Sequence, residues 1–137
     1  MFKHVITVVP VSLTVSLAQT AHSDHWIRMH SDPYGSTHIN SNTIKKVRGK
    51  KDIVEYHYRY IYRFGEPSLD IPPNGYQQSV QQMNCIENTY AVLKSQYFKS
   101  NGKVDALDSV STDVHFQPIN EYYTDYMKIK RYVCSLL

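Results

Sequence analysis

The chain has 137 residues, 42% of them hydrophobic and 20% charged, with only 5 Gly and 6 Pro. That describes one globular domain and excludes a disordered or two-domain chain. A net charge of +3 is too mild for a nucleic-acid partner. No run of apolar residues is long enough for a membrane-spanning helix, and no glycine-rich phosphate loop or zinc-type cysteine cluster occurs, so the sequence offers no cofactor motif.

Residues 1–23 read as a secretory signal peptide. Lys3 precedes an apolar run from Val5 to Ala18, and small residues then satisfy the cleavage rule after Ala18 or after Ser23. Val5, Ile6, Val8, Val9, Val11, Leu13, Val15 and Leu17 have no charged face between them, which disfavours an amphipathic helix of the fold. No cysteine stands near the cut to carry a lipid. The expected mature protein is therefore soluble and exported, periplasmic or extracellular, with one domain over 24–137.

Trp26 to His30, Tyr34 to Asn40 and Thr43 to Val47 are short strand candidates, separated by the turn chemistry of Asp32-Pro33 and Asn40-Ser41-Asn42. Gly49 turns the third into a long strand, Lys51 to Phe64. There Val54, Tyr56, Tyr58, Tyr60, Tyr62 and Phe64 alternate with Glu55, His57, Arg59 and Arg63. Gly65 to Gly75 is a surface loop rich in residues that cannot continue a ladder.

Ser79 to Ser100 suits one long strand better than a helix, although Tyr90 to Lys94 fits either, and Asn101-Gly102 is a hairpin turn with a return at Lys103-Val104. A further strand near Val114 to Gln117 stops at Pro118. The period then changes. Ile119, Tyr122, Tyr123, Tyr126, Met127, Ile129, Val133 and Cys134 fall at helical spacings, with Asn120 as N-cap, Glu121 in the first turn, and Lys128, Lys130 and Arg131 toward the C-terminus. The expected fold class is α+β, an antiparallel sheet of about six strands with a C-terminal helix packed on it.

Cys85 and Cys134 are the only cysteines. In an oxidising compartment an even pair is most simply one disulfide, whose closure of about 50 residues contributes about 4 kcal/mol in the loop-entropy account. The alternative is a nucleophilic thiol, but neither cysteine has a histidine beside it in sequence.

Candidate chemistry is sparse. His25, His30, His38, His57 and His115 form no metal-spaced pair, so no metal site is expected. A secreted or periplasmic phosphodiester hydrolase could draw acid, base and phosphate donors from Glu55, His57, Arg59, Arg63 and His115, with His57 and His115 as the acid-base pair. The solvent face of an ordinary half-buried strand has the same composition, and no catalytic residue is assigned. Lys45, Lys46, Arg48, Lys50 and Lys51 crowd a turn that is either simply solvated or a contact for an acidic polysaccharide, an acidic glycoprotein segment or anionic headgroups. The 12 tyrosines are first of all core, yet the strand face bearing Tyr58, Tyr60 and Tyr62 can exceed what one helix covers. A leftover strip there suits a partner or a homodimer.

The order of elements resembles the surface-adhesin protein E family of small exported bacterial proteins. The resemblance rests on Trp26, on Tyr34 to Ser41 followed by Ile44, on the Val54 to Tyr62 strand, and on Asn84-Cys85 followed by an aromatic-bearing stretch to Tyr97. It continues through Asn101-Gly102-Lys103-Val104 and Phe116-Gln117-Pro118-Ile119 to Cys134. It implies an antiparallel sheet closed by a C-terminal helix, with a Cys85–Cys134 disulfide between them. It also implies a binding protein, not an enzyme, that engages a host matrix or serum glycoprotein such as vitronectin or laminin. A periplasmic accessory protein that binds another envelope protein is the blander reading. The name-giving adhesin is an outer-membrane lipoprotein, and this sequence lacks the lipidation cysteine.

Overall fold

The computed structural model describes residues 25–103, 109–110, 114–120 and 122–136. The signal-peptide reading and Glu121 lie outside these residues.

A meander of antiparallel strands forms the sheet, in the order β1 (Trp26–Asp32), β2 (Gly35–Lys46), β3 (Ile53–Tyr62), β4 (Gly75–Asn84), β5 (Thr89–Phe98) and β6 (Ser109–Val110). A short β7 (Gln117–Pro118) pairs with the Thr89–Tyr90 start of β5, and α1 (Thr124–Cys134) follows. The class is α+β and mostly sheet.

Alternation explains β3. Val54, Tyr56 and Tyr58 are buried on one face, whereas Glu55, His57 and Arg59 are only partly covered on the other. The β1–β2 turn is fixed by Asp32, whose Oδ1 accepts the backbone N–H of Tyr34 at 2.7 Å and of Gly35 at 2.9 Å. Gly35 is required by contact: a Cβ there would collide with the Ile61 carbonyl and meet the Tyr60 ring at 2.8 Å. Gly49, at φ 75°, turns β2 into β3 as the sequence predicts.

Four expectations change, the fourth being the start of the helix. The strands at Tyr34 to Asn40 and Thr43 to Val47 are one strand, β2, with a register shift against β3 between Asn40 and Lys45. The Asn40-Ser41-Asn42 chemistry builds a bulge instead of a turn: Asn40 Oδ1 accepts from Asn42 N at 3.1 Å, and Thr43 Oγ1 donates to the Asn40 carbonyl at 2.7 Å. Ser79 to Ser100 is not one strand but the greater part of the β4–β5 hairpin, turned by Asn84, whose side chain accepts from Ile86 N and Glu87 N at 3.1 and 2.9 Å, and by Asn88 at φ 59°. Pro118 belongs to β7 instead of ending a strand at Val114 to Gln117, a place that a short edge strand permits.

The Asn101-Gly102 turn is present, with Lys99 N donating to the Lys103 carbonyl at 2.9 Å; Val104 lies outside the described residues. The helix begins later than its period suggests. Tyr123 is its N-cap, and Asn120 instead accepts from Tyr122 N at 3.0 Å in a turn ahead of it.

The core lies between the sheet and α1. Ile129 and Val133, both fully buried, meet Ile39, Val54, Tyr56, Tyr58 and Met83. Tyr126 stacks on Tyr90 at 4.1 Å between ring centroids and on Tyr58 at 6.0 Å. Cys134, the last helical residue, is disulfide-bonded to Cys85, which follows β4, with a Cα–Cα distance of 5.8 Å. Val133 and Leu136 pack beside Val54 while Tyr126 lies over Tyr58, so α1 runs antiparallel to β3.

Candidate partner-binding surfaces

The cations cluster at the β2–β3 tip. Val47 N donates to the Ile53 carbonyl at 3.0 Å and Lys50 N to the Val47 carbonyl at 3.2 Å, which closes the hairpin and turns its side chains outward. Lys45 pairs with Glu55 at 3.2 Å, a surface bridge of small worth. Lys46, Arg48, Lys50 and Lys51 are exposed and form no salt bridge among the described residues. A recess of about 300 Å³ is lined by Lys46, Val47, Lys50, Lys51, Asp52 and Ile53. The tip is braced from beneath. Cys85 N donates to the Asp52 carbonyl at 2.9 Å, and Val133 of α1 shares the core with Val54 behind the tip.

The tyrosines divide. Tyr58 is 8% exposed and belongs to the core under α1. Tyr60 and Tyr62, farther along β3 than the ring of Tyr126 reaches, are half-buried and pack edge to face at 4.8 Å. The Tyr62 hydroxyl donates to Gln77 Oε1 at 3.4 Å. Burial first, then the neighbouring Tyr97, Tyr60 and Glu66, raises the Tyr62 phenol to about 12. Exposed Tyr34 and Phe64 stand at the same end, where Arg63 N donates to the Tyr34 carbonyl at 2.9 Å.

Both ends of the strands carry mixed charge, with Arg63 and Lys99 at the tyrosine end and Asp52 and Glu87 at the end of the lysine tip. Asp32, Glu66 and Asp70 lie at the tyrosine end, opposite the lysine tip. A ten-residue strand spans about 33 Å, so the lysines and the tyrosines form two patches, not one surface.

The face of the sheet turned away from α1 carries an arrangement that sequence reasoning missed. The Arg59 guanidinium lies 4.0 Å from the Trp26 ring and 4.2 Å from the Tyr76 ring, and its Nη2 donates to Gln78 Oε1 at 3.0 Å. Tyr76 in turn stacks on Phe98 at 4.9 Å. Strand register sets Arg28, His38, Arg59, Gln78 and Gln96 side by side across β1 to β5. Burial first, then the Arg59 and Arg28 guanidiniums, holds the His38 imidazole below its ordinary 6.5.

The residues considered for hydrolysis are dispersed in role. Glu55 is engaged by Lys45 and, at 3.1 Å, by Gln82; Arg59 is clamped between rings; Arg63 lies 5.4 Å from the Phe64 ring. His57 is half-buried on β3, and His115 is exposed ahead of β7. Among the described residues no three His, Cys, Asp or Glu side chains gather as metal ligands, and no helix is long and apolar enough to cross a membrane.

No protein-family model matches the sequence, and neither does any curated protein. Solved structures do match. Protein E of Haemophilus influenzae superposes with a TM-score of 0.53 at 14% identity, over 84% of this chain and 86% of that one. Protein E from non-typeable Haemophilus influenzae gives 0.52 at 14% identity, over 83% and 77%. The selenomethionine form of Haemophilus influenzae protein E gives 0.52 at 15% identity, over 83% and 88%. The chain has a protein E-like fold.

Proposed function

We propose that this chain is an exported binding protein, of the surface-adhesin type that its sequence resembles, and that the lysine tip of the β2–β3 hairpin holds an acidic segment of a protein or glycoprotein partner. One observation carries the reading: Lys46, Arg48, Lys50 and Lys51 are exposed at a tip that backbone hydrogen bonds hold in place. Such a tip attracts an acidic partner at no ordering cost to its own backbone. The disulfide supports export, because such bonds persist in oxidising compartments. Tyr60 and Tyr62, with Tyr34 and Phe64, offer a second contact at the far end, either to the same partner or to another copy of the chain.

The test is binding of the oxidised protein to immobilised vitronectin and laminin at low and physiological salt, beside the variant Lys46→Glu, Lys50→Glu, Lys51→Glu. The expected result is saturable, salt-sensitive binding that the variant loses. Equal binding by the variant would remove the tip from the reading, and no binding at either salt would remove the host glycoprotein. Sedimentation at high micromolar concentration reports on the homodimer, which a clean monomer would exclude.

A further inference from the structure

Two recesses open on the lysine tip, and both are partly lined by carbon. In the first, of about 300 Å³, half-buried Val47 and buried Ile53 stand with Lys46, Lys50, Lys51 and Asp52. The second, of about 130 Å³, lies between β2 and the end of α1, where Ile44, Val54, Val133 and exposed Leu136 stand with Ser41, Lys45 and Lys46. Lys46 lines both. Register sets Lys46 opposite Val54 on the α1 face of the sheet, and Lys45 opposite Glu55 on the other face, where the two are bridged at 3.2 Å. Lys46, Lys50 and Lys51 are exposed and in no salt bridge among the described residues. Asp52 is the one carboxylate lining either recess, against those three ammonium groups; Glu87, exposed on the neighbouring β4–β5 turn, lines neither.

Given the tip as the partner site, the reading on which this rests, we propose that the two recesses select an acidic peptide segment with aliphatic side chains among its carboxylates. The carboxylates go to Lys46, Lys50 and Lys51, and an aliphatic side chain goes to each recess. Three lysines against one aspartate favour an anion, and the apolar lining discriminates among anions. An acidic polysaccharide carries hydroxyls throughout, and burying them against Val47, Ile53 or Leu136 costs their hydrogen bonds to water. Single-stranded nucleic acid needs open rings on which bases stack, and no aromatic side chain lines either recess. A bilayer takes up apolar side chains that project from a protein, whereas Ile44, Val47, Ile53 and Val54 are buried or half-buried in the walls of hollows. A peptide alone brings carboxylates and separate aliphatic side chains on one chain.

A fluorescein-labelled glutamate peptide bearing two leucines is titrated into the oxidised protein at low and physiological salt, beside the same peptide with serine in both places. Heparin and phosphatidylglycerol vesicles are measured in parallel. The variants are Leu136→Ser at its exposed position, Val47→Ser with Leu136→Ser, and Lys46→Glu with Lys50→Glu and Lys51→Glu. Circular dichroism confirms that each folds. The parent should bind the leucine peptide about tenfold or more tighter than the serine peptide, as burial of an aliphatic side chain gives. Leu136→Ser should lower that ratio and Val47→Ser with Leu136→Ser should bring it near one, with the serine peptide bound as by the parent. Salt should weaken both peptides and leave the ratio in place. No binding of the leucine peptide, equal binding of the two peptides by the parent, or a ratio that survives Val47→Ser with Leu136→Ser would overturn the proposal. Heparin or vesicle binding that falls with those two substitutions as the leucine peptide does would overturn the ligand class. Equal binding of the two peptides, with both lost in the lysine variant, would remove the recesses and leave the tip standing. Serine-peptide binding that the lysine variant keeps would remove the tip itself.

Discussion

Tyr126 lies 4.1 Å from Tyr90, ring centroid to ring centroid, and so fastens the first half of α1 to β5 while Cys134 fastens its end to Cys85. The helix is tied at both ends to the β4–β5 hairpin, although its backbone runs closest to β1, β2 and β3. Replacing both cysteines, Cys85→Ser with Cys134→Ser, is expected to cost about 4 kcal/mol by the loop-entropy account. Urea unfolding of the variant should give a lower midpoint, with stacking and Ile129 burial still holding the helix native. A variant whose midpoint matches the oxidised parent would show that the disulfide adds nothing beyond packing.

A buried polar hub supplies a second prediction. Gln81, 2% exposed, accepts from the Tyr56 hydroxyl at 3.2 Å and donates to Ser79 Oγ at 2.8 Å. Gln81→Leu leaves the Tyr56 hydroxyl buried without its acceptor, at a cost of about 1–3 kcal/mol. Tyr56→Phe in the Gln81→Leu background should then recover part of the loss, because the Tyr56 hydroxyl is no longer an orphan, while Ser79 still lacks the donor that Gln81 supplied. A double-mutant cycle by chemical denaturation measures this. Strict additivity would deny that the two side chains act together.

Local chemistry made much of the fold legible. The Val54 to Tyr62 alternation shows β3 because one face is covered and the other wet, and the Ile129, Val133 spacing shows α1 for the same reason. Asn40 and Asn88 show where local signals mislead. Asparagine side chains bond their own backbone in a bulge as readily as in a turn, so Asn40 reads as a strand end and Asn88, without glycine beside it, reads as strand. The Arg28, His38, Arg59 row escapes sequence altogether. His57 and Arg59 look like the ordinary solvent face of one strand, and only register brings Arg28 and His38 from two other strands to Arg59. The lysine tip was legible because its members are adjacent in the chain, whereas the burial of Tyr58 depends on where the ring of Tyr126 comes to rest.

The aromatic core predicts alkaline behaviour. Burial first, then neighbouring phenols or Asp125, raises the hydroxyls of Tyr56, Tyr58 and Tyr126, and Tyr62 rises to about 12. Each is an acid whose folded pKa exceeds its unfolded value near 10, so above pH 10 the unfolded chain sheds protons that the folded chain keeps. Stability should therefore fall as pH rises past 10. Absorbance at 295 nm should show part of the tyrosine ionisation delayed until the protein unfolds. A complete titration without change in the far-ultraviolet dichroism would contradict the packed arrangement around Tyr126.

His38 predicts the opposite limb. Its imidazole is held below 6.5 by burial first and then by Arg59 and Arg28, which face it from β3 and β1. With a folded pKa depressed below the unfolded one, the folded chain binds fewer protons as pH falls through 6.5. Stability is lost from there down to the folded pKa and levels off below it. His38→Gln removes that proton linkage and keeps a polar side chain in the row. The variant should lose less stability than the parent on acidification from pH 7 to the lower plateau. Equal loss of stability by variant and parent over that range would show that His38 carries no such proton linkage.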